Sequence, residues 1–454
     1  MVRNANRFLA SFLALSAALA LFAPDRAAAQ NCNGFRVQQV GGVSISPEGV
    51  LALPDSPITK EMREQIRKEV REAAAELNKK VSLRKISLRA IEEAVAKSDK
   101  NVTFQLPEEI RFLAGIQRIQ YILVYPEQND IVLAGPGEGW KIDERANIVG
   151  QTTGRPVLQL EDLVVALRSV ENARNGAISV SIDPTAEGRQ QFEKYMRAQK
   201  TFAPAVLNGI EKALGAQQVT ITGVPATSRF ARLLTASDYK MKRIAMKLEE
   251  SPLPALPSYL DMMKKEKVKL TNMMPRWWMA CNYEPIAKSE DGLAWEIRGP
   301  GVKVLTEDEV VGADGGVAGT GKASPIAQKW SNLMTEHYDE LSLKEPVFGD
   351  LRNLMDLSVV AALIAKEKLL EKAHVTIPTL QGANSKLQPV SWPAPKTVAT
   401  QCSFIKRDRE YIITASGGVD INSWGVADKT VTSAEVGQTR QKATAATGAG
   451  LWWN

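Results

Sequence analysis

The chain has 454 residues, 44% apolar and 24% charged, with a formal net charge of +6. That is the balance of a soluble globular protein with room for two or three domains, and it favours neither a nucleic-acid nor a strongly acidic partner. Its two histidines, His337 and His374, leave a His-rich metal site or a His-based triad short of ligands, and neither a metal nor a cofactor is expected.

At the N-terminus, Arg3 and Arg7 precede an apolar run over residues 8–23, which Pro24 breaks ahead of Ala27-Ala28-Ala29. This is the pattern of a secretory signal peptide over 1–29, with cleavage expected between Ala29 and Gln30. The run is shorter than the roughly 18 to 20 residues that a spanning helix needs. Cleavage would take Arg3, Arg7, Arg26 and Asp25 with it and lower the net charge to +4. No later stretch is long and apolar enough to cross a bilayer; the best, 357–365, stops at Lys366. Three cysteines, Cys32, Cys281 and Cys402, allow one bridge at most, and Cys32 with Cys402 is the expected pair if the chain ends lie together.

Residues 30–150 read as an N-terminal α+β region. Val43 and Ile45 alternate with serines before the turn Pro47-Glu48-Gly49. Met62, Ile66, Val70, Ala73 and Leu77 predict a helix over 59–80 with Thr59 as cap; Leu88, Ile91 and Val95 predict another over 87–97. Strands over 118–125 and 131–134 flank a turn at 126–130.

Residues 151–311 read as a mixed α/β and aromatic hairpin region. Leu160, Leu163, Val164 and Leu167 predict a helix, and a strand follows over 177–182. Asp183-Pro184 opens the next helix with Asp as N-cap, through Phe192 and Met196. A helix over 203–214 stops at Gly215, a strand spans 219–222, and Phe230, Leu233 and Leu234 mark another helix. Residues 239–247 read equally as strand or helix. A Gly-rich loop is expected over 312–323, and a helical pair over 324–376, as helices at 326–343 and 347–373 with the second buried nearly all round. A Pro-rich crossing and a C-terminal hairpin, 403–405 with 411–414, fill 377–426; the Thr-, Ala- and Gly-rich tail 427–454 is expected to be disordered. Together these elements predict an α+β fold: mixed sheets with packed helices, a β-hairpin-rich aromatic segment and a C-terminal helical pair.

One internal echo stands out. Gly41-Gly42-Val43-Ser44-Ile45 with Gly49-Val50 matches Gly417-Gly418-Val419-Asp420-Ile421 with Gly425-Val426 at the same spacing. Two equivalent strand–turn units and a chance likeness of short Gly-rich strands explain it equally well.

Motifs for chemistry are weak. Residues 316–322 fit the start of a phosphate-binding loop, but Ala323 stands where a magnesium-holding hydroxyl is required. Ser82-Leu83-Arg84-Lys85 fits a penicillin-binding pattern whose companion Lys-Thr-Gly is missing, since Val398 follows Lys396-Thr397. No spacing singles out an acid pair, Asp183 with Asp238 included.

The richest segment is 272–295. Strand alternation after Pro275 puts Trp277, Met279, Cys281 and Tyr283 on one face, and Trp278, Ala280, Asn282 and Glu284 on the other. A turn at 289–292 returns the chain so that Trp295 packs near Trp278 or Tyr283. Arg276, Trp277, Trp278, Tyr283 and Trp295 are therefore the candidate binding residues. Polar-tipped rings of this kind suit sugar rings or peptide backbones, whereas a merely aromatic core would bind nothing.

The string MMPRWWMACNYEP…SEDGLAWEIRGPGVKVLTEDE, together with GRPVLQLEDLVVALR (154–168), SIDPTAEG (181–188), DYKMKRIAMKLE (238–249), AQKWSNLMTEHYDELSLKEPVF (327–348) and SGGVDIN (416–422), resembles a family of secreted planctomycete proteins of unknown function. The likeness runs over about residues 35–424 and implies one exported, integrated unit, with no assigned reaction, ligand or catalytic residue. The expectation is an exported protein with a structural or interaction role in the cell envelope, more in keeping with a non-enzyme, whose partner is an envelope protein or glycan. The alternative is an envelope-polymer hydrolase or carbohydrate-binding protein using 276–296.

Overall fold

A computed structural model describes residues 73–454 except 100–102, 146, 200–204, 267–273, 312–316, 383–384, 392, 401–402, 407–409, 414–415 and 444–449. The signal peptide expected over 1–29, Cys32, Cys402, the 41–50 unit and most of the helix expected over 59–80 lie outside the described residues.

In chain order, β1 (Val81–Ser87) leads into α1 (Leu88–Lys97), where the Ala90 N–H donates to the Ser87 hydroxyl at 2.9 Å and so caps the helix. The hairpin of β2 (Tyr121–Tyr125) and β3 (Asp130–Gly137) follows, then a small one of β4 (Trp140–Ile142) and β5 (Ile148–Gly150). α2 (Leu160–Arg168) and α3 (Val170–Gly176) precede β6 (Ile178–Asp183), α4 (Ala186–Ala198), α5 (Ala205–Leu214), β7 (Gln217–Thr222), α6 (Arg229–Ala245) and α7 (Tyr259–Lys265). Next come β8 (Met274–Asn282), β9 (Ile286–Lys288), β10 (Ala294–Glu296), β11 (Gly301–Val311) and β12 (Val317–Gly319). The helices α8 (Pro325–Glu336), α9 (Tyr338–Lys344) and α10 (Pro346–Lys366) follow. β13 (Thr397–Val398), β14 (Ser403–Lys406), β15 (Glu410–Ile413), β16 (Ser416–Ile421), α11 (Ser423–Ala427), β17 (Thr430–Thr432), α12 (Ala434–Ala443) and β18 (Trp452–Trp453) complete the path.

The fold is α+β, with two seven-stranded sheets among the described residues. The first has the order β17-β9-β10-β2-β3-β1-β18 and the second β12-β11-β8-β16-β6-β7-β13. Both are mixed, because β17 runs parallel to β9 and β16 parallel to β8. One continuous apolar core joins the inner faces of both sheets to the helices, with Ile122, Val124, Ile131 and Leu133 from the first and Ile178, Val180, Trp277 and Met279 from the second.

α10 occupies this core, and every residue from Pro346 to Ile364 except Val347 is buried. Each of its buried polar residues has at least one partner, as burial demands, although the Arg352 Nε and Asn353 Oδ1 atoms have none. Asp350 accepts from Arg229 at 3.0 Å, Arg352 donates to Asp339 at 2.7 Å, and the Asn353 amide donates to the Pro156 carbonyl at 3.1 Å. Asp356 accepts two bonds from Arg118, each 3.0 Å, and one from the Tyr283 hydroxyl at 2.7 Å.

Several sequence expectations need correction. The helix after β6 is capped by Thr185, whose hydroxyl accepts from the Gly188 N–H at 3.0 Å. Pro184 restricts Asp183 to extended geometry, so that residue ends the strand instead of opening the helix. Residues 239–245 are helical: Met241, Ile244 and Ala245 are buried at helical spacing, and Lys242 reaches back to Asp238 at 2.8 Å. Within the expected loop 312–323, Val317–Gly319 pairs with β11.

The largest departure is the tail. Composition suggests disorder after residue 427, yet the tail supplies both edge strands of the first sheet and the helix over its outer face. A few anchors outweigh the polar composition. Val436 and Ala443 are buried against Leu123, Tyr125, Val132, Ala287 and Ala294. Arg440 donates to the Val124 carbonyl at 2.6 Å, its guanidinium lies 5.0 Å from the Tyr125 ring centre, and the Tyr125 hydroxyl donates to the Arg440 carbonyl at 3.0 Å. Trp452 and Trp453 pair with Ile86 and Lys85, and Arg84 donates to the Asn454 side chain at 2.9 Å.

Candidate functional site

Among the described residues the second sheet has one packed face and one open face, and strand alternation assigns every residue between them. Across β11, β8, β16, β6 and β7, one row reads Val304, Met279, Val419, Val180 and Ile221 and faces the core. The next row reads Lys303, Ala280, Asp420, Ser179 and Thr222, and the one beyond Met279 reads Leu305, Trp278, Gly418, Ser181 and Thr220. Apart from buried Gly418, these residues are half-buried or exposed.

Trp278 stands in the middle of the open face. The Arg276 guanidinium lies 5.9 Å from its ring centre, and Arg276 donates to Glu309 at 3.1 Å. Glu309 also accepts from the Ser416 hydroxyl at 2.5 Å, so the arginine is held beside the ring. Beside Trp278, Gly418 keeps the sheet bare, and Gly417 next to it lies across the ladder from Trp277. Gly417 has φ +142°, and a Cβ there would fall 1.6 Å from the Trp277 carbonyl oxygen; at Gly418 it would fall 1.9 Å from that of Val180. Only glycine fits at either position.

At the other end of this face, a groove of about 360 Å³ opens where β8, β11 and β16 meet α11. Lys303, Asp420, Asn282 and Asn422 contribute its polar lining, and Ala280 and Leu305 are among its apolar lining residues. Burial raises the Asp420 carboxyl above its usual range. Cys281 borders the groove by its backbone while its side chain packs against the core; burial, with Asp420 and Asp356 nearby, pushes the thiol up to about 12, so it is protonated near neutral pH.

The five candidate residues do not form one cluster. Trp277 is fully buried, packed edge-on against Tyr259 (5.0 Å, 72°) and tilted on Trp330 (5.0 Å, 60°). The Tyr283 hydroxyl is spent on Asp356, and that carboxylate together with burial holds the phenol well above its ordinary range. Trp295 is fully buried in the other sheet. It lies on β10, beside β2 and β9, with the ammonium groups of Lys372 and Lys288 at 5.1 and 5.7 Å from its ring centre. The chain turns back at 289–292 as expected, but β8 pairs with β11 and β16, so Trp295 does not return to Trp278. Arg276 and Trp278 alone reach the open face.

Sequence reasoning missed Lys303, Asp420 and Asn282. The available signal was alternation: Val302-Lys303-Val304 and Val419-Asp420-Ile421 each put one charge between two core residues. The weighed acid pair is also resolved, because Lys242 pairs with Asp238 and donates to the Ile182 carbonyl at 3.0 Å, while Asp183 adds a smaller repulsion. Among the described residues, no group of three or more His, Cys, Asp or Glu side chains could hold a metal ion, and no helix is long and apolar enough to cross a membrane.

Comparison with curated proteins and with solved structures found no match. Residues 180–259 match the model of a family described as a protein of unknown function (DUF1598), a span that includes most of β6, all of β7 and the buried helix α6, and so two of the five strands of the open face.

Proposed function

We propose that this chain is an exported interaction protein of the cell envelope, with no catalytic step of its own, that holds its partner on the open face of the second sheet. The observation that carries this reading is the half-buried Trp278 beside Arg276, on a face where hydroxyls, amides and single charges surround a floor of Ala280, Leu305 and Gly418. A tryptophan that supported only the fold would sit as Trp277 does. Export rests on the basic start, the short apolar run and the Ala-Ala-Ala end at 27–29, and on the resemblance to secreted planctomycete proteins. The test is retention of the purified protein on envelope fractions. Trp278→Ala and Arg276→Ala are expected to lose retention with little change in melting temperature; retention equal to that of the unaltered protein in both would overturn the reading.

A second reading, hydrolysis of an envelope polymer, is favoured by one observation: two carboxylates, Asp420 and Glu284, line the groove, and burial raises Asp420. Glu284 is mostly exposed and lies 3.8 Å from Arg298. Release of reducing ends from envelope polymer, abolished by Asp420→Asn and by Glu284→Gln, would establish this reading in place of the first.

A further inference from the structure

We infer that the groove around Ala280 binds a neutral, hydroxyl-rich saccharide chain. This rests on the interaction reading above and names the ligand class for the same face. The space comes from the register. Ala280 lies between Lys303 on one neighbouring strand and Asp420 on the other. Strands lie about 4.8 Å apart, so the two charged stems stand roughly 10 Å from each other across a methyl-sized floor. That gap accepts one pyranose ring. Gly418 extends the floor beside Trp278, because no side chain fits there.

The polar groups around that floor are unspent. Among the described residues, the side chains of Lys303, Asp420 and Asn282 have no hydrogen-bond or ion-pair partner in the protein. Half-buried polar groups left unpaired forfeit hydrogen bonds that a ligand can restore. Lys303 and Lys429 offset Asp420 and Glu284, so the lining carries no net charge and gives a charged polymer no advantage. A donor-only ammonium, an acceptor carboxylate and an amide that does both match hydroxyls, which also donate and accept. The Ser179 and Thr222 hydroxyls, bonded to each other at 2.7 Å, continue the row.

Trp278 supplies what the polar groups lack, an aromatic surface for the C–H face of a sugar ring. From Arg276 to Asn282 the strand rises roughly 20 Å, which is room for several rings in succession. Among the described residues the exposed large hydrophobics, Leu343 and Val431, lie off this face, so half-buried Trp278 and Leu305 supply its apolar surface.

The test is calorimetric titration of the full chain with maltohexaose, cellohexaose and chitohexaose, with polygalacturonate as the charged competitor. At least one neutral hexasaccharide is expected to bind. Trp278→Ala should weaken it about tenfold or more, and Asp420→Asn and Lys303→Ala each about three- to tenfold, all three variants keeping the melting temperature within a few degrees. If no neutral hexasaccharide binds while envelope retention still depends on Trp278, the saccharide inference fails and the interaction reading stands. If retention is also indifferent to Trp278, both fail. Tighter binding of polygalacturonate than of every neutral chain likewise overturns the inference.

Discussion

Replacing Trp277 and Trp278 separately by alanine tests the register on which the open face depends. Trp277 is fully buried and makes two aromatic contacts at 5.0 Å, to Tyr259 and Trp330. Truncating such a ring costs about 3 to 5 kcal/mol, of which each aromatic pair accounts for about 0.5 to 1.5 kcal/mol. Trp278 is half-buried and loses its packing on Arg276 alone among ring and cation partners, so its truncation should cost about 1 kcal/mol. Urea unfolding followed by circular dichroism gives both numbers, provided the slope is unchanged between variants. The Trp277 ring nitrogen is buried without an acceptor, so Trp277→Phe forfeits ring area and no hydrogen bond. It should cost less than half as much as Trp277→Ala. Equal midpoint shifts for the two alanine variants, or a larger one for Trp278→Ala, would refute the alternation and the open face with it.

Deleting residues 428–454 should lower the unfolding midpoint and promote self-association, checked by light scattering, because it uncovers Leu123, Val132, Ala287 and Ala294 and frees both edges of the first sheet. Asp356→Ala should destabilise by about 3 to 5 kcal/mol in the same unfolding assay, since it leaves the half-buried Arg118 guanidinium with only the Gly299 carbonyl and the Tyr283 hydroxyl without its acceptor. Burial raises the Asp238 carboxyl to about 6 in spite of Lys242. The folded chain therefore holds a proton there that the unfolded chain releases near 4, and this contribution to stability is full below about 4 and is lost as pH rises towards 6. Unfolding midpoints measured from pH 4 to 7 should fall less steeply in Asp238→Asn than in the unaltered protein. Gly417→Ala should fail to yield folded protein on expression, as its methyl would occupy the position of the Trp277 carbonyl.

The comparison of sequence with structure turns on range. Alternation in Ile178–Asp183, the apolar spacing of Leu160–Arg168 and the nearly all-round burial of residues 346–364 were legible because each depends on the geometry of a single element. The same alternation separated Trp277 from Trp278. It could not name the neighbouring strand, since pairing is chosen by contacts distant in sequence. Trp295 thus went to the other sheet, and Lys303, Ala280 and Asp420 came together from three separate stretches. The tail misled for a related reason. Its composition promises little burial, but Val436, Arg440 and the Trp452–Trp453 pair fit sheet edges and a face that residues far upstream provide. Local periodicity determined which side of each strand is polar; only tertiary pairing decided which polar residues share a groove, because hydrogen-bonded neighbours are selected by the fold as a whole.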